Sequence, residues 1–186
     1  KSCTILTLRS LRHKGGLTMP ATYDCIATTT LGSAQATITF SSISGSYTDL
    51  VLVCSARSAT SATSDSYLLT FNSDTSNLYS RTRILGNGST ASSAGRSAAN
   101  IDFEGLAGNT SAANTFMNAI VQLQNYSNTT TNKTVLIRGN DANSYVTAAV
   151  GLYRSTSAIT SITLNTSSTA NFSSGSTFTL YGIQAA

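Results

Sequence analysis

The segment NIDFEG, residues 100–105, holds the best cluster of side chains able to do chemistry. On an extended strand, residues two apart share a face, so Asn100, Asp102 and Glu104 would form one row and Ile101 and Phe103 the other. Such a row of oxygen ligands suits calcium. With another carboxylate opposite, it would also supply the acid and base of a glycosidase. Strand alternation by itself generates the same row on a solvated face, and that is the expectation here.

Other chemistry is poorly supplied. His13 is the only histidine and precedes Met19, so the body lacks the base that serine and cysteine nucleophiles use and the usual zinc ligand. Cys3, Cys25 and Cys54 are odd in number and form no Cys-x-x-Cys pair. A Cys25–Cys54 disulfide is one reading. The other, which we expect, is that Cys54 alternates with Leu50, Leu52 and Ala56 in an apolar strand and acts as a small hydrophobe. The glycine-rich GNGST, residues 86–90, lacks the lysine of a phosphate loop, and Asn87-Gly88 reads as a turn. Asn-x-Ser/Thr sequons recur, at Asn109 and Asn165 for example, but Ser and Thr are about a third of the chain, so chance produces most of them. No catalytic residue, no cofactor and no enzymatic activity are expected.

The elements that would position these residues are strands. From Met19 onward, short runs of β-branched, aromatic and aliphatic residues alternate with Ser, Asn, Gly and Asp clusters. Candidate strands are 23–28, 36–40, 48–57, 66–72, 79–85, 99–104, 114–124, 134–138, 145–154, 157–164 and 177–183. Met117, Ala119, Val121 and Leu123 share one face of a half-buried strand, and Tyr67, Leu69 and Phe71 share a face of another. Leu50 to Val53 are continuously apolar, which marks a central strand covered on both sides. Turns are expected at 44–46, 72–74, 87–88, 139–141 and 173–175. The small, polar stretch Ser89–Ala99 has almost nothing to bury and reads as a long exposed loop. With one proline and no helical pattern, the expected fold is all-β, an antiparallel two-sheet β-sandwich of jelly-roll type, formed by residues 19–186 as one domain.

Only 10% of the 186 residues are charged, and the formal charge of +4 comes entirely from Lys1, Arg9, Arg12 and Lys14. Residues 1–18 are therefore a basic N-terminal arm, a targeting segment or an untranslated leader. The third reading is favoured, because Lys14-Gly15-Gly16 is encodable by a purine-rich run resembling a bacterial ribosome-binding site just before Met19. In the remainder, seven bases balance seven acids. No face for nucleic acid follows, and no apolar run approaches the roughly 20 residues of a membrane span. Soluble monomers guard sheet edges with lysine, proline or inward charge, yet beyond residue 18 there is one lysine, Lys133, and one proline, Pro20. We expect a homo-oligomer whose neighbours cover the edges, a trimer ahead of a dimer.

Several stretches resemble a group of tailed-bacteriophage virion proteins common in marine phages and cyanophages. They are MPATYDCIATTTLGS (19–33), ITFSSI (38–43), YTDLVLV (47–53), FNSDTSNLYS (71–80), NYSNT (125–129), AITSI (158–162) and GSTFTLYGI (175–183). The resemblance covers most of the body and brings no catalytic signature. It implies a β-sandwich structural part of a virion. The first expectation is a head decoration or cement protein on the outer surface, with the major capsid protein as partner. The alternative is a tail-fibre or receptor-binding module for a cell-surface glycan, with Tyr126, Tyr145 and Tyr153 as aromatic platforms, although such tyrosines are more often sandwich core.

Overall fold

The structure is a computed structural model that describes residues 22–142 and 144–184, so the readings of residues 1–18 lie outside the described part. The only regular elements among the described residues are strands: β1 (Tyr23–Thr30), β2 (Ile38–Phe40), β3 (Asp49–Ala56), β4 (Ser64–Phe71), β5 (Tyr79–Gly86) and β6 (Ala91–Ala98). Then follow β7 (Ile101–Ala107), β8 (Met117–Gln124), β9 (Lys133–Asp141), β10 (Tyr145–Tyr153), β11 (Ile162–Thr166) and β12 (Thr177–Ile183). They form a two-sheet antiparallel sandwich. One sheet has eight strands in the order β1-β12-β3-β8-β9-β10-β5-β6, and the other has four in the order β2-β11-β4-β7.

Period-two burial explains most of this arrangement. In β8, Met117, Ala119, Val121 and Leu123 are buried, and in β4 Tyr67, Leu69 and Phe71 are fully buried, as their alternation requires. β3 lies between β12 and β8, with Leu50, Val51 and Leu52 all buried, which accounts for its continuous apolar run. Cys54 is a free, fully buried thiol in the inward row of β3, so no Cys25–Cys54 disulfide exists. Within each sheet, buried cross-strand partners stack: Tyr67 on Phe103 in the smaller with ring centroids 4.7 Å apart, and Tyr79 on Tyr153 in the larger at 4.6 Å. Each such pair adds about 0.5–1.5 kcal/mol beyond the apolar area it buries.

Three expectations about the strands and turns need correction. Ser89–Ala99 is not a loop: Ala91–Ala98 is β6, paired residue for residue with β5 and forming the outer edge of the larger sheet. β5 supplies its hydrogen bonds, so it needs no apolar side chains to be held. The strand expected at 157–164 begins only at Ile162, because Asn72 captures the preceding segment. The Asn72 side-chain amide donates to Ala158 O, and its carbonyl accepts the amides of Thr160 and Ser161. Similarly, Gly139 to Asp141 complete β9, and the reversal follows Asp141.

Candidate functional site

β7, which carries the carboxylate row, is the edge strand of the smaller sheet and packs against β5, β8, β9 and β10. All seven of its residues are buried. A bulge at Gly105, with φ +120°, separates the Ser66–Glu104 pair from Asp65–Leu106, and a Cβ there would lie only 3.2 to 3.4 Å from backbone atoms of β8 and β9. The row at Asn100, Asp102 and Glu104 is therefore not a solvated face. A strand pattern shows which residues share a side, but not what a second sheet lays over that side.

What covers it is arginine. Arg81 on β5 donates from Nε and Nη2 to the two oxygens of Asp102, at 2.8 and 2.7 Å. Arg96 on β6 places its Nε 2.8 Å from Asp102 Oδ1 and donates from Nη2 to Asn100 Oδ1. Arg83 pairs with Glu104, whose Oε2 is buried without a hydrogen-bond partner. Arg81 and Arg96 are directly opposed across the β5–β6 ladder, a like-charge placement that costs stability unless a counter-ion intervenes, and Asp102 is that counter-ion. Burial alone would raise the Asp102 pKa. The Arg81 hydrogen bonds and the charges of Arg81 and Arg96 outweigh it and hold the carboxyl below its ordinary value.

This cluster is built for cohesion. A general acid needs a raised pKa, and Asp102 has the opposite. A cation at the row would have to displace two guanidiniums from Asp102. Among the described residues no group of three or more His, Cys, Asp or Glu side chains is placed to hold a metal. The arginines went unrecognised in the sequence, although a signal was present: Arg81 and Arg83 share a strand face, as do Asp102 and Glu104, two period-two pairs of opposite charge and matching spacing.

The tyrosines proposed as glycan platforms are largely internal. Tyr126 and Tyr153 are buried, their hydroxyls donating to Ser44 O and to Asp74 Oδ2, while Tyr145 is half-buried.

The exterior of the eight-stranded sheet is the remaining candidate surface. Strand register puts Gln122, Leu136, Val150 and Thr82 in one cross-strand row and Ile120, Arg138, Ala148 and Ile84 in the next. Ile84, Leu136, Val146 and Val150 are 62%, 52%, 64% and 49% exposed, and of the exposed large apolar side chains among the described residues only Tyr23 lies elsewhere. A shallow groove of about 390 Å³ runs among Ile84, Ala91, Arg138 and Val146. On the outward positions of β3, β8, β9, β10, β5 and β6, the only charged residues are Asp49 and Arg138. A contiguous apolar patch with so few charges has the composition of an interface core.

No family model, no curated protein and no solved structure matches this chain.

Proposed function

We propose that this chain is a jelly-roll structural protein of a phage virion, a non-enzymatic decoration protein that binds the major capsid shell from outside. For the jelly roll, the support is strand order. β1-β12-β3-β8 lies over β2-β11-β4-β7, the arrangement produced when a long antiparallel hairpin is rolled so that its successive pairs alternate between sheets. The β5–β6 and β9–β10 hairpins then join one edge of the first group and widen it from four strands to eight.

The observation that carries the functional reading is the β6 edge. All but the last of its eight residues are exposed, no strand among the described residues pairs with its outer side, and its one charged side chain, Arg96, is tied to Asp102 and Asn100. A long edge without lysine, proline or free charge is a liability for a solitary molecule and is suited to one covered by neighbours. A decoration protein works by that covering: binding only to the assembled shell adds its binding free energy to the work of opening the shell. The same argument supports a homo-oligomer.

The test is copy number in purified virions, measured by quantitative mass spectrometry against the major shell protein. The expected result is a ratio near one or a simple fraction of it. A handful of copies per particle would move the protein to the tail, and absence from virions would overturn the proposal.

A further inference from the structure

We propose that the exterior face of the eight-stranded sheet binds a second copy of this chain, with Arg138 of each copy set against Asp49 of the other. The inference does not rest on the virion reading. Its basis is the placement of the two charges on the outward strand positions of that face, Arg154 lying beyond the end of β10 at the rim, where Ser80 and Leu78 hold its guanidinium. Asp49 pairs with Gln124, and Arg138 pairs with Ile120, so Gln122 stands midway, one strand and one row from each. At ordinary strand spacing and rise the two charges are roughly 17 Å apart. A copy turned about a two-fold axis over Gln122 brings both unlike pairs together, as an isologous interface requires.

The environment of each charge agrees. Arg138 is exposed and makes no ion pair among the described residues. Asp49 accepts the Asn125 amide through Oδ1 and, among the described residues, meets no cation within salt-bridge distance. Beside the axis, Leu136 and Val150 are directly opposed on β9 and β10, so the same turn covers them. Ile84 and Val146 lie toward the rim.

Size is also sufficient. Four outward residues on each of β12, β3, β8, β9 and β10, the five strands centred on β8, reach the lower bound of the roughly 20–30 residues a side in a stable interface. The centre of the face is apolar or amide and free of charge, which is the composition of an interface core. A pair formed this way has two-fold symmetry, in place of the three-fold expected from composition.

The experiment is sedimentation equilibrium on the full chain, its Arg138→Glu variant, and the double variant Asp49→Arg with Arg138→Glu. Circular dichroism confirms that each is folded. The expected result is a dimer whose Kd rises about tenfold or more in Arg138→Glu, since close interfacial charge pairs couple strongly. The double variant should return toward the original Kd. Val150→Glu, at an exposed position, should also dissociate the dimer. A monomer at tens of micromolar would mean that the N-terminal residues 1–21 or another protein covers the face, and would overturn the inference. So would a trimer, a dimer indifferent to Arg138→Glu and Val150→Glu, or a double variant no better than the single one.

Discussion

Arg81 grips both carboxylate oxygens of Asp102 across the gap between the two sheets, joining β5 of the larger to β7 of the smaller. The fork geometry is what a guanidinium offers and an ammonium does not. Removing the acid leaves Arg81 buried with Arg96 directly opposite. Asp102→Ala should therefore cost about 3–5 kcal/mol of unfolding free energy, as breaking a buried pair does. Arg96→Ala, at a side chain 39% exposed, should cost less than about 1 kcal/mol. Urea unfolding of the two variants checks the order, and equal losses would show that the cluster is not organised around Asp102.

Asp65 is a second carboxylate pinned inside the fold. It accepts hydroxyl hydrogen bonds from Ser58, Ser167 and Ser168 and the amide of Ser66, which ties the start of β4 to the segments after β3 and β11. Burial opposes its ionised form, but these donors outweigh it and lower the pKa from 3.8. Asp65 and Asp102 thus share a sign: their folded pKa values lie below the unfolded ones, so they add stability that is complete above the unfolded value and fades as pH falls through the folded one. The urea midpoint should be level from about pH 5 upward and drop below about pH 4. Asp65→Asn should flatten that drop while lowering stability at neutral pH.

How far the sequence revealed this fold varies by element. β3, β4 and β8 were legible because their side chains report burial directly, by continuity in the first and alternation in the others. β6 was illegible for the opposite reason. ASSAGRSA buries nearly nothing, and its strand conformation comes from a neighbour's backbone, which leaves no mark on its own residues. The carboxylate row was found, but its environment was misread, because Asp102 takes its partner from 21 residues earlier on the other sheet. The exposed apolar patch belongs to the same class. Each of its members sits in a plausible strand, and only the register of β5, β9 and β10 reveals that they adjoin.

Two strand glycines should respond differently to the same substitution. A Cβ at Gly139 on β9 would lie 2.3 Å from the Glu104 carbonyl oxygen, a backbone atom that cannot move without shifting β7. Gly139→Ala should cost about 3 kcal/mol or more, or prevent folding. At Gly95 on β6 the nearest atom would be 3.6 Å away, so Gly95→Ala should be neutral or stabilising by up to about 1 kcal/mol through reduced freedom of the unfolded chain. Thermal melts decide it, and a stable Gly139→Ala variant would mean the sheets are less closely apposed at the bulge.

Cys54 supplies an internal reporter of unfolding. Its thiol is completely buried, and burial pushes its pKa well above the ordinary thiol value. Alkylation at Cys54, followed by peptide mass mapping, should be negligible in the native protein and rise in step with urea unfolding. Modification well before the transition would show that β3 opens locally.

The position of β12 between β1 and β3 bears on how the molecule can be synthesised. Residues 177–183 separate β1 from β3, so neither can acquire its final neighbour on that side until those residues leave the ribosome. Until then the apolar β3 stands at an open margin of the nascent sheet. The larger sheet must close after translation of its last strand, and the interval before closure is when a chaperone, or a premature encounter with another nascent copy, decides the yield.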